Sequence, residues 1–115
     1  MGLLFLKPMV IDHIWYDVTM KAQLHTQIKQ QFPDGSILSI IIWLLPEKEA
    51  ERPHGYKYRL NYFRSDGKTV VRYDNERRKG EHKHIWETET DYRFESLDKL
   101  IRDFFADVRT HGGQL

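Results

Sequence analysis

From Ala22 the chain alternates between apolar and polar positions. Ala22, Leu24, Thr26, Ile28 and Phe32 fall on one side, with Gln23, His25, Gln27, Lys29 and Gln31 on the other. This is the period-two pattern of a half-buried strand. Pro33-Asp34-Gly35-Ser36 follows, and Asp-Gly between two such runs predicts a tight hairpin. With Asp34 and Gly35 as a two-residue loop, Phe32 is expected opposite Ile37, Ile28 opposite Ile41 and Thr26 opposite Trp43. The second run, Ile37 to Leu45, is apolar on its other side as well, through Leu38, Ile40, Ile42 and Leu44. A strand apolar on both faces needs two covers. A helix supplies one, and the segment before the sheet, a second copy of the chain or a partner protein would supply the other.

Pro46 to Gly55 is a charged, proline-bearing loop. Tyr56 to Arg64 predicts a third strand, with Tyr56, Tyr58, Leu60 and Tyr62 on its core side, and Thr69 to Asp74 a fourth. Ser65-Asp66-Gly67-Lys68 repeats the Asp-Gly device between them. A two-residue loop there sets Tyr62 against Val71 and Leu60 against Tyr73, leaving Asn61–Arg72 and Arg59–Asp74 paired on the polar side. Asn75 to Glu81 reads as a loop, His82 to Trp86 as extended, and Tyr92-Arg93-Phe94 as a short paired segment. Beyond Ser96 the period changes. Leu97, Leu100, Ile101, Phe104, Phe105 and Val108 recur at spacings of three and four, the apolar stripe of an amphipathic helix. Ser96 suits its N-cap, Asp98 the positive end of its dipole, and Gly112-Gly113 its end. The expectation is an α+β domain: a twisted, mainly antiparallel sheet of four to five strands with a C-terminal helix packed on one face.

Composition narrows the chemistry. The 115 residues hold no cysteine, which excludes disulfides, zinc–thiolate sites and a cysteine nucleophile. The net charge of +1 makes no global case for nucleic-acid binding. A local one exists, because Arg77, Arg78, Lys79 and Lys83 cluster with His82 and His84 against Glu76 and Glu81. The opening Met1-Gly2-Leu3-Leu4-Phe5-Leu6 is apolar but is soon interrupted by Lys7-Pro8, too short a run to span a bilayer. It has neither a basic leader nor a small-residue cleavage site, so a cytoplasmic protein with no membrane partner is expected. Residues 1–19 read as an N-terminal extension or arm, 20–111 as the domain and 112–115 as a tail.

The run from Tyr73 to His84 carries the densest reactive chemistry. Cleaving RNA without a metal needs a base for the 2′-hydroxyl, an acid for the leaving 5′-oxygen and cations for the phosphate. His82 and His84 are one residue apart, so an extended backbone projects both from one side. They fit the acid and base, with Lys79 and Arg59 as phosphate contacts and Asp74 placed to orient a histidine or an arginine. Arg77, Arg78 and Lys83 fit contacts to RNA phosphates. A metal would use the same histidines with Asp74 or Glu76, but no third ligand stands at a fixed spacing. No metal or other cofactor is therefore expected.

Pro33-Asp34-Gly35-Ser36-Ile37, Tyr56-Lys57-Tyr58-Arg59-Leu60, Tyr73-Asp74-Asn75-Glu76 and Lys79-Gly80-Glu81-His82-Lys83-His84 occur in order, followed by the helix ending Ala106-Asp107-Val108. Together these segments resemble the TumE-like toxins of toxin–antitoxin modules. The resemblance spans about Met20 to Val108 and leaves residues 1–19 outside. Members of that family often carry aspartate where this chain has Glu81, and a more glycine-rich link where it has Ile85-Trp86-Glu87-Thr88. The resemblance implies a prokaryotic toxin with a cognate DNA-binding antitoxin as partner, and the basic run from Arg77 to His84 points to RNA as its target. Joined to the residue chemistry, it points to a metal-independent ribonuclease. The alternatives are a toxin that acts by binding alone, a metal-dependent enzyme of nucleic acids or nucleotides, or a non-toxic partner of a neighbouring DNA-binding protein. A homodimer is compatible with the two-faced second strand.

Overall fold

A computed structural model describes residues 22–76 and 80–112. Six strands, β1 (Gln23–Gln31), β2 (Ile37–Leu44), β3 (Tyr56–Phe63), β4 (Thr69–Asp74), β5 (His82–Ile85) and β6 (Thr88–Asp91), precede one helix, α1 (Leu97–Thr110). The strands form a single sheet in chain order, every neighbouring pair antiparallel. The α+β architecture with a C-terminal helix is therefore as expected, with a longer meander than the four to five strands anticipated.

The extra strand is β6. Ile85 pairs with Thr88 across a two-residue turn, and Trp86 enters the left-handed region with φ 54. Such turns favour glycine or asparagine, so Trp-Glu gives no turn signal in the sequence. The Trp86 amide donates to the Val70 carbonyl at 2.7 Å, tying the tip to β4. Tyr92-Phe94, expected to be paired, lies outside any strand. Its rings serve packing instead, Tyr92 against Tyr73 at 4.9 Å and Phe94 against Tyr58 at 6.1 Å between centroids.

Both Asp-Gly hairpins have three-residue loops. Gly35 N donates to Phe32 O, and Phe32 N to Ser36 O, each at 2.8 Å. Pro33 supplies the fixed φ that the first central turn position requires, and Gly35 takes φ +88 as the bulge residue. The added loop residue shifts the expected β1–β2 register by one: Ile28 lies opposite Ile40 and Thr26 opposite Ile42. The Ser65-Asp66-Gly67 loop has the same hydrogen-bond pattern. There, an irregularity between Tyr62 and Phe63 restores the expected pairing, with Tyr62 opposite Val71, Leu60 opposite Tyr73 and Arg59 opposite Asp74.

The core lies between the sheet and α1. Leu38, Ile40, Ile42, Tyr58, Leu60, Tyr62, Val71 and Tyr73 meet Leu100, Phe104 and Val108, all at most 4% exposed. The Ser96 side chain accepts from the Lys99 amide at 3.1 Å, and the C-cap is His111, with Gly112 beyond it at φ +103. Asp107 near the end of α1 accepts from the Tyr73 hydroxyl, which anchors the helix over β4.

The two turn glycines separate strain from crowding. A Cβ on Gly35 would lie 2.9 Å from Ser65 Cβ, whereas one on Gly67, at φ +86, meets nothing within 4 Å. Gly67→Ala should cost about 1 kcal/mol from backbone strain, and Gly35→Ala at least about 2 kcal/mol. Urea midpoints at unchanged m-value read the difference.

Candidate functional site

Strand alternation sorts the reactive residues onto two faces. Val71, Tyr73, Lys83 and Ile85 belong to the helix side, whereas Arg72, Asp74, His82 and His84 project from the other. The β4–β5 register sets Asp74 opposite His82 and Arg72 opposite His84. The β5–β6 pairing then brings Glu89 beside His84 and Asp91 beside His82. Arg59 joins from β3, opposite Asp74.

Asp74 is the centre of this group at 3% exposure. Its Oδ2 lies 3.2 Å from Arg72 Nε and 3.8 Å from Arg59 Nε, while its Oδ1 lies 2.9 Å from His82 Nε2. Arg59 is also held by Glu76, Nη2 to Oε1 at 2.7 Å. A buried carboxylate ringed by three cationic or basic groups is the arrangement that offsets desolvation of the charge.

The two imidazoles are adjacent but not equivalent. Their centroids are 5.1 Å apart and their planes near perpendicular, at 75°. The His82 side chain is 3% exposed and that of His84 18%. His82 Nδ1 lies 3.1 Å from the Gly80 carbonyl; a carbonyl only accepts, so Nδ1 carries the proton. Gly80 holds φ +72, a left-handed conformation that suits glycine. His82 Nε2 and Asp74 Oδ1 are close enough for an ion pair, yet neither has a hydrogen-bond partner among the described residues. Arg72 Nη2 lies 3.1 Å from His84 Nε2; arginine only donates, so this nitrogen presents its lone pair. Burial, and then the Arg72 guanidinium, push the His84 pKa below that of a free imidazole. The donated hydrogen bond and the direction of this shift both favour the neutral imidazole.

Asn75, between Asp74 and Glu76, locks the end of β4. Its Oδ1 accepts from the Tyr58 amide at 3.0 Å and its Nδ2 donates to the Tyr56 carbonyl at 2.8 Å, continuing the β3–β4 ladder with a side chain. On the helix side, His54 Nε2 lies 2.7 Å from Glu81 Oε2, which also accepts from the Tyr58 hydroxyl at 3.2 Å. Desolvation and the Glu81 charge raise the Tyr58 pKa far above that of free tyrosine, leaving it a hydrogen-bond donor. His54 stacks on Phe94 at 3.9 Å between centroids. This cluster braces the β4–β5 connection and was not legible beforehand, because nothing in the sequence joins position 54 to position 81.

The structure thus brings together four of the expected site residues: Arg59, Asp74, His82 and His84. Lys79, Arg77 and Arg78 lie outside the described residues. Lys83 is turned to the opposite face, where its ammonium sits 3.1 Å from Asp107 and 5.6 Å over the Tyr73 ring. It therefore does not share the recess with the two histidines, because residues i and i+1 of a strand point apart. Arg72 and Glu89 belong to the recess and were not singled out. Arg72 was on the polar side of the predicted register, so alternation marked it; Glu89 required β6.

A family model described as toxin TumE matches residues 6–111. The chain belongs to the TumE toxin family. The match covers nearly the whole chain and takes in most of the segment before Met20. No curated protein and no solved structure matches it. Membership makes this TumE-family protein the toxin component of a toxin–antitoxin module, with a cognate antitoxin as partner. Among the described residues no helix is long and apolar enough to cross a membrane. The link Ile85-Trp86-Glu87-Thr88 forms the β5–β6 turn, where Trp86 adopts a left-handed φ.

Asn75→Ala should destabilise this toxin by about 2–4 kcal/mol, since the buried Tyr58 amide and the part-buried Tyr56 carbonyl lose their partner. Native-state hydrogen exchange should show the Tyr58 amide opening first.

Proposed function

We propose that this TumE-family toxin acts on RNA as a metal-independent ribonuclease whose acid–base pair is His82 and His84. The observation that carries the reading is one buried carboxylate, Asp74, joining His82 to Arg59 and Arg72 on the face that also holds His84. An RNA phosphodiester offers an anion that can replace a carboxylate at these guanidiniums, and it asks for what the face has, two proton-transfer groups.

In this reading His84, the more exposed ring, takes the 2′-hydroxyl proton. His82, oriented by Asp74 and by the Gly80 carbonyl, protonates the leaving 5′-oxygen. Arg59 holds the phosphate by exchanging Glu76 for a phosphate oxygen, and Lys79 adds charge as the substrate settles. Arg77 and Arg78, between Asp74 and His82 in sequence, extend the contact along the RNA backbone and make it salt-dependent. The antitoxin is read as a DNA-binding protein that holds the toxin inactive in the cytoplasm, where both targets lie.

His84→Ala should lower cleavage of RNA by about 10²–10⁴-fold at unchanged melting temperature, the usual loss for an acid–base group. A chelator should leave the wild-type rate unaltered. Growth inhibition that survives in His84→Ala, with no cleavage by either protein, would replace this reading with a toxin that acts by binding alone.

A further inference from the structure

The β5–β6 hairpin assembles donors that the acid–base reading does not use together. His82 Nε2 lies 3.8 Å from Glu89 Oε2, and His84 Nε2 lies 3.8 Å from Glu89 Oε1. One ligand atom from each of the three residues falls within 4.8 Å of the others. At 3.8 Å no hydrogen bond joins these pairs. Two ligands bound tetrahedrally to one zinc-sized ion stand about 3.3–3.4 Å apart, given bonds of about 2.0–2.1 Å. Each imidazole–carboxylate pair therefore sits about half an ångström beyond ligand spacing, and the half-exposed Glu89 side chain is placed to close both gaps.

Two further observations point the same way. The His82 side chain is 97% buried, and its Nε2, although 2.9 Å from Asp74 Oδ1, makes no hydrogen bond among the described residues. Its other nitrogen donates to a backbone carbonyl, the contact that typically fixes the tautomer of a metal-bound histidine. We propose that His82 Nε2, His84 Nε2 and the Glu89 carboxylate form a binding site for one zinc-class divalent cation. Two imidazoles and a carboxylate are a borderline donor set, suited to Zn²⁺ or Co²⁺ rather than to Mg²⁺ or Ca²⁺. Arg72 is the built-in competitor. Its Nη2 occupies the lone pair of His84 Nε2, so the cation enters as Arg72 swings fully onto Asp74, which it already meets at 3.2 Å.

The binding does not depend on the ribonuclease reading, but it has a consequence there. A bound cation takes the lone pairs that would carry protons, so loading would silence cleavage.

The test is titration of the purified chain with Zn²⁺ by calorimetry and with Co²⁺ by visible absorption. One ion should bind per chain, with d–d bands of a four- or five-coordinate site. Glu89→Gln, on an exposed strand position, should weaken binding by about tenfold or more, and Arg72→Met should tighten it severalfold. The site is overturned if no ion binds, or if Glu89→Gln with a wild-type melting curve leaves the affinity unmoved. The RNA assay is scored separately. Cleavage that rises as the site fills would overturn the acid–base reading and support the metal site, while loss of cleavage on filling supports both.

Discussion

A carboxylate at 3% exposure is a costly object unless its charge is answered, and Asp74 closes β4 with one. Three strands answer it: Arg59 from β3, Arg72 from its own strand and His82 from β5. None of the three would be placed without the pairing of those strands, so the ladder and the site are one structure. The same constraint explains Asn75. A polar side chain 1% exposed is kept because it bonds backbone groups of β3 just where β4 stops.

Strand alternation then divides labour between faces. Tyr73 and Lys83 turn toward α1 and meet at Asp107, anchoring the helix. Their sequence neighbours Asp74, His82 and His84 turn the other way. A stretch that reads in one dimension as a single basic and histidine-rich motif is therefore two structures back to back. One is a bracket for the helix, and the other is a recess of imidazoles, guanidiniums and carboxylates.

Charge in that recess is balanced rather than one-sided. Arg59 and Arg72 are met by Asp74, Glu76 and Glu89 around the histidines. Such a balance holds the groups in place, and it also means that whatever enters must exchange partners. An anion takes over guanidiniums, and a cation takes over carboxylate and imidazole lone pairs. The swap at Arg72, shared between His84 and Asp74, is common to both.

Much of this was legible in the residues. The helix followed from the apolar stripe of Leu97 to Val108, and the β3–β4 register from the alternation of tyrosines and the Asp66-Gly67 turn, because side-chain period is dictated locally. His82 and His84 on one side, and Arg59 across from Asp74, followed from the same rule. Other features were decided only in three dimensions. The β1–β2 register slipped by one because Pro33 is a loop residue, and the Ile85–Thr88 turn gave no signal because Trp86 occupies a position that glycine usually fills. Seven residues separate Asp74 from His82, and a loop of that length leaves strand pairing open. Hydrogen bonding across the sheet set His82 on Asp74 and brought Glu89 beside both imidazoles. Local chemistry chose which side each residue faces, and long-range pairing chose its neighbours.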